Sequence, residues 1–248
     1  MNVVFEDKAG RDLFHYAVRD QRAELVRKIV NPQVTTFAAL GESLFVASGY
    51  GQLSRLSWRG NSEDLQVTDF NGVVEVSSNG RHLLLLLNDG TLILANESGG
   101  VLNRAEINFP VREINLGQDD TVWIAGGDEV LGGYQVFWSK NFRDFLSIPW
   151  PASAVQLFGD HEGIVWTVNS RSEIWKLHRL GEGNMPGCRQ NAGCRNCMFK
   201  QYGQAQQVAS TNDGFLVLDA NSSLKVFATP ESKVPLAEWN DVGRFMVS

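Results

Sequence analysis

The only three thiols in the 248-residue chain fall in one run, "MPGCRQNAGCRNCMFK", Met185 to Lys200, spaced C-x5-C-x2-C. Thiolates bind zinc tetrahedrally, and a C-x2-C pair lets two sulfurs face one ion across a tight turn. Cys188, Cys194 and Cys197 would supply three ligands, and the fourth would come from His178, from His161 or from a partner protein. Free thiols in a loop, or a disulfide or redox pair, are the other readings of the same run, although an odd count suits a disulfide framework poorly. Arg189, Arg195 and Lys200 make the run locally basic. That charge would lower thiol pKa values, engage an acidic partner, or simply be solvated. The cofactor expectation is therefore none, or zinc.

Such residues need a frame, and the frame is an internal repeat. "GESLFVAS" from Gly41, "GRHLLLLL" from Gly80, "DDTVWIAG" from Asp119, "HEGIVWTV" from His161 and "NDGFLVLD" from Asn212 each set a small or polar turn before a short apolar run. Runs of this kind are how a buried strand reads. With Ser43, His82, Thr121, Gly163 and Gly214 as equivalent positions, the spacings are 39, 39, 42 and 51. In "VVEVSSNGRHLLLLLNDGTLILANESGGVLNRAEINF" four strand-like runs are separated by Ser-Asn-Gly, Asn-Asp-Gly and Ser-Gly-Gly, turn signals that rest on positive-φ residues. A four-stranded antiparallel meander repeated near forty residues predicts a β-propeller.

The chain ends fit the same period. Joined tail to head, 38 residues beyond Gly214 is Val4, and Val4 to Ser43 is again 39. The expected fold is all-β: a single six-bladed propeller over residues 1–248, closed by a composite blade in which Val242 to Val247 supplies the innermost strand and Val3 to Phe5, Leu13 to Val18 and Leu25 to Val30 the other three. Two alternatives stand beside it, a helix over Leu25 to Val30 and a seventh blade hidden in the long fourth repeat. The excess of that repeat puts the cysteines on an insertion at about 181–200, and loops on a rigid scaffold are where function concentrates.

One repeat, "GRHLLLLLNDGTLILANESGGVL", resembles that of the regulator-of-chromosome-condensation family, through Gly80, His82, Gly90 and Asn96-x-x-Gly99-x-x-Leu102. "FGDHEGIVWTVNSRSEIWKL", Phe158 to Leu177, resembles a tectonin-type repeat. The first resemblance implies a propeller that regulates chromatin or a small GTPase, with His82 packing or hydrogen-bonding at a blade turn. "STNDGFL", Ser210 to Leu216, is similar to the Asp-box turn of sialidases, a structural element.

The innermost strands are expected to carry Glu75, Glu113, Gln156, Gln207 and Glu238 into a central channel. Converging carboxylates there would hold a divalent cation or act as acid and base, as in a lactonase, sialidase or lectin type of propeller; solvated lining is the plainer reading. Trp123 and Trp166 recur at the repeat period and read as blade packing, with Trp58, Trp138 and Trp175 in or near third strands. Trp150 and Trp239 sit beside turns and are the candidate partner contacts, together with Arg189 and Arg195. Nucleophile elbow, phosphate loop, dinucleotide fingerprint and H-E-x-x-H motif are missing from the sequence.

The net charge of −6 is scattered, whereas a nucleic-acid or anionic-membrane surface needs clustered Lys and Arg. "MNVVFEDKAGRDLF" lacks the features of a secretory signal, which leads to an intracellular expectation, cytoplasmic or nuclear. The reading that follows is a non-enzymatic protein-protein interaction scaffold in an intracellular complex, its partners other proteins rather than nucleic acid, membrane or an evident small-molecule substrate. Elemental analysis checks the zinc reading. Chain prepared without chelator should carry close to one equivalent of zinc, and less than about 0.2 equivalents would count against a site of ordinary tightness.

Overall fold

The computed structural model describes residues 2–10, 12–19, 22–30, 34–41, 43–57, 65–129, 133–148, 153–160, 164–178, 200–211 and 214–247. Six antiparallel sheets are arranged in a ring, a six-bladed β-propeller. Around the axis the innermost strands are Val34–Leu40, Val73–Ser78, Val111–Leu116, Gln156–Gly159, Gln207–Thr211 and Val242–Val247, which number blades one to six. In blades one to five the strands run outward in chain order. Blade three carries an additional two-residue strand, Ser153–Ala154, on its third strand.

Blade six is stitched from both ends of the chain. Val242–Val247 pairs with Asn2–Asp7, which pairs with Asp12–Arg19, which pairs with Arg22–Val30. The segment Leu25 to Val30 is thus an outer strand and not a helix. Its apolar residues at helical spacing are overruled by an eight-pair ladder to Asp12–Arg19, with a bulge between His15 and Tyr16. Propensity is a weak prior against a template strand of this length.

The second strands explain why the sequence reads as continuous apolar runs. Side chains alternate across a strand, and here both faces of each blade are covered by a neighbour. Leu83 and Leu85 pack toward blade one, while Leu84 and Leu86 pack toward blade three. Phe45 and Ala47 likewise face blade two, and Leu44 and Val46 face blade six. The described core consists of six clusters, one for each junction between blades.

The turns between second and third strands share one geometry in five blades. Gly10, Gly51, Gly90, Ser172 and Ser222 each donate their N–H to the carbonyl three residues back and adopt positive φ. An acceptor side chain steadies these turns: Ser48 Oγ accepts from Gln52 N at 3.3 Å, Asn169 Oδ1 from Glu173 N at 3.1 Å and Asp219 Oδ1 from Ser223 N at 3.1 Å. Such turns match the right-handed twist of the strands they join.

Trp123 and Trp166 are fully enclosed between blades. Trp166 donates its indole N–H to Asp160 at 3.3 Å. Trp123 lies against two glycines, so close that a methyl group on Gly159 would stand 2.6 Å from its Cδ1 and 2.8 Å from the Gly117 Cα. Backbone on one side and a fixed indole on the other leave no room to yield. Gly159→Ala should therefore destabilise the protein by roughly 1–3 kcal/mol, the usual cost of overpacking, seen as a lower urea midpoint at unchanged slope.

Candidate functional site

An innermost strand is the free edge of its blade, and edge N–H and C=O groups need partners. In this ring the partners are side chains from the preceding blade. Thr36 Oγ1 accepts from Val76 N at 3.4 Å, Glu75 Oε1 from Ile114 N at 3.1 Å, and Ser77 Oγ from Leu116 N at 3.0 Å. Asn115 Oδ1 accepts from Gly159 N at 2.6 Å, and the Glu113 carboxylate accepts from the N–H of Leu157. Gln207 closes on blade six reciprocally, donating to Phe245 O at 2.7 Å and accepting from Phe245 N at 3.0 Å.

Blade six in turn reaches blade one through Arg244. Its guanidinium donates to the carbonyls of Thr35 and Val34, lies 5.0 Å over the Phe37 ring, and is held from behind by Glu6 at 2.6 Å. Met246 Sδ accepts from Ala39 N at 3.1 Å, a second tie across the same junction. Each bond spans one blade.

These side chains surround an axial cavity of about 400 Å³. Thr36, Glu75, Glu113, Gln156, Gln207 and Arg244 line it, one from each blade. Two are acids. Glu75 and Glu113 share a hydrogen bond, so one of the two carboxyls holds a proton. Burial and the adjacent Glu113 charge push Glu75 well above the usual carboxylate range. Burial lifts Glu113 to about 8, against the opposing pull of the Glu75 hydrogen bond, the Leu157 N–H and the Arg244 charge. Like charges this close in a buried channel oppose each other's ionisation, so the pair gives up its protons above the usual carboxylate range.

On sequence grounds Glu75, Glu113, Gln156 and Gln207 were expected on innermost strands, and they lie there. Glu238 does not. It sits on Ala237–Trp239, the outermost strand of blade five, exposed, and accepts from Ser223 Oγ at 2.6 Å. The polar position of the last innermost strand is Arg244, and sequence reasoning missed it. The repeat contains the signal: Thr36, Glu75, Glu113, Gln156 and Gln207 are spaced 39, 38, 43 and 51, and 37 further is Arg244.

Cys188, Cys194, Cys197, Arg189, Arg195, Trp58 and Trp150 lie outside the described residues. His178 ends the third strand of blade four, and His161 lies outside the described residues. Among the described residues no group of three or more His, Cys, Asp or Glu side chains could hold a metal ion. Trp239 is half-buried at the junction of blades five and six, with ring centroids 5.3 Å from Tyr16 and 5.8 Å from Phe5. Trp138 and Trp175 pack at the junction of blades three and four. His82 bonds Asp120 across blades two and three, Nδ1 to Oδ1 at 2.9 Å, where Asp120 also accepts from Asn79 at 2.7 Å.

No family model matches the chain, and no curated protein sequence does. Among solved structures, a chain in the crystal structure of a nidogen/laminin complex matches with a TM-score of 0.65 at 11% identity, over 96% of this chain and 93% of that one. The likeness is one of fold. The two family resemblances read from single repeats are not carried further by these matches.

A proton bound by the folded channel and not by the unfolded chain makes stability pH-dependent. With a folded pKa above the unfolded value of 4.5, the pair's contribution is full below that pH and is lost as pH rises toward about 8. Glu113→Gln mimics the protonated acid. Its melting temperature relative to the parent should rise between pH 5 and about pH 8 and level off above, and a pH-independent difference would refute the shared proton.

Proposed function

We propose that this chain is a non-enzymatic interaction propeller, a protein-binding subunit of an intracellular assembly. The observation that carries the reading is the use made of the channel acids. Glu75 and Glu113 are the groups that a catalytic propeller would aim at substrate, and both are engaged by backbone N–H groups of the next blade and by each other. A ring of clasps leaves little of its hydrogen-bonding capacity for chemistry. One face meanwhile offers exposed apolar side chains, Tyr50 and Val74 among them, of the kind that anchors protein contacts. The similar propeller of the nidogen/laminin structure also comes from a protein–protein complex.

A second reading keeps the carboxylate pair as its support: an enzyme or ligand-binding propeller of lactonase, sialidase or lectin type, with a perturbed acid in a 400 Å³ cavity. Regulation of chromatin or of a small GTPase rests on the resemblance of one repeat alone. Zinc on Cys188, Cys194, Cys197 and His178 would add a metal-organised contact to the scaffold reading without altering it.

Quantitative affinity purification from the source cells, followed by mass spectrometry, separates the first two readings. The scaffold reading expects partner proteins in near-stoichiometric amounts, and their recovery should be unchanged by Glu113→Gln. Recovery of no stable partner would overturn it.

A further inference from the structure

The face formed by the turns after the second strands carries an apolar track beside the channel mouth. Tyr50 projects from the 48–51 turn of blade one and is 99% exposed, and Val74, at the start of the innermost strand of blade two, is 48% exposed. Val74 borders three hollows at once: the axial cavity, a recess against Tyr50, and a recess of about 570 Å³ reaching Phe109 and Val111. Phe109 stacks on Phe137 at 4.3 Å and so is fixed in place.

The track is rigid. Ser48 Oγ accepts from Tyr50 N and Gln52 N, Gly51 O accepts from Val73 N at 2.9 Å, and Gly72 O accepts from Asn88 N at 2.7 Å. Gly51 and Gly72 touch backbone to backbone, since a Cβ on Gly51 would stand 2.9 Å from Gly72 Cα. Docking on such a platform costs little ordering entropy on this side of the contact. Among the described residues beyond its chain neighbours, no atom lies within 4 Å of a Cβ built on Gly49, so the approach beside Tyr50 is open there.

Charge decides the occupant. Asp69, in the connector behind Gly72, and Asp89, in the turn beside Asn88, are exposed along the track, and Asp128 and Glu129 are exposed where it ends beside Pro110. Arg112 is an exposed guanidinium on this face, and it is turned over the Tyr134 ring at 5.4 Å. Arg104 and Arg143 line an adjoining recess that shares Asp89 and Phe109 with the track, and Arg104 lies near enough to Asp89 to act on its charge. Exposed carboxylates outnumber the guanidiniums around the strip, and Arg112 is occupied with the Tyr134 ring, so the border favours a ligand with cationic groups beside an apolar anchor.

We propose that this face docks a segment of a partner protein in which Lys or Arg residues flank an apolar side chain, the apolar group seating between Tyr50 and Val74. The proposal deepens the scaffold reading and rests on it. Panning the full chain against a displayed peptide library tests it directly. Enriched peptides should pair an aromatic or aliphatic residue with nearby Lys or Arg. Their synthetic copies should bind about tenfold or more weakly to Tyr50→Asp and Val74→Glu. Asp69→Asn with Asp89→Asn should weaken binding about threefold or more and flatten its dependence on salt. Enrichment of acidic or uncharged peptides, no enrichment, or binding indifferent to both apolar substitutions would overturn the proposal, as would self-association of the parent chain that Tyr50→Asp abolishes. Both apolar side chains are exposed, and a circular dichroism melt confirms that the variants fold. Failure here is distinct from failure of the scaffold reading: partners retained by Tyr50→Asp in affinity purification would leave the scaffold standing and move the contact elsewhere.

Discussion

Every blade of this ring begins on a bare edge, and the rest of the structure depends on how those edges are satisfied. A strand that faces an axis has no strand beside it to take its hydrogen bonds, and unpaired buried amides cost about as much as the bonds that folding gains. Here a polar side chain from the preceding blade fills the gap, at Thr36, Glu75, Ser77, Glu113, Asn115 and Gln207, and Arg244 supplies the link from the last blade to the first. Placement near the axis is efficient, because the blades converge there and one short side chain can span the junction.

That arrangement has an electrostatic consequence. Consecutive blades placing an acid at the same position bring Glu75 and Glu113 together, so a device that holds backbone also builds a proton-sharing pair. A perturbed carboxyl in a cavity is ordinarily a pointer to catalysis. In this channel burial accounts for it, with the adjacent acid adding to the shift at Glu75, while the Ile114 and Leu157 amides and the Arg244 charge pull the other way. The channel acids are thus engaged in holding the ring. Outside the axis the junctions are apolar, six clusters in which each second strand serves two neighbours, and Trp123 and Trp166 are the largest fully buried side chains in them.

Closure of the ring depends on the same economy. Blade six exists only when Val242–Val247 pairs with Asn2–Asp7, and the junctions on either side of it are tied by Gln207 to Phe245 and by Arg244 to Val34. Glu6 grips Arg244 from within the same blade, an ion pair that joins residues from the two ends of the chain. Joining the termini through a sheet covers the edges that an open ring would expose.

Much of this was legible in the chain itself. The repeat near forty residues, the four strands per repeat, the six blades and the composite sixth all follow from hydrophobic patterning and turn residues, because burial on both faces forces apolar runs and tight turns force positive-φ residues into register. The polar ring was partly legible, since one polar residue per period is visible once the copies are aligned. What those residues bond to was not, because each partner amide lies a whole blade away and its position depends on the packing of every strand between. The error at Glu238 has the same origin: sequence order placed it before the final strand, and only the sheet order of blade five put it on the rim. The shared proton, the seat of Tyr50 beside Val74 and the acidic border of that face are likewise products of tertiary structure, for they arise where residues from different blades meet.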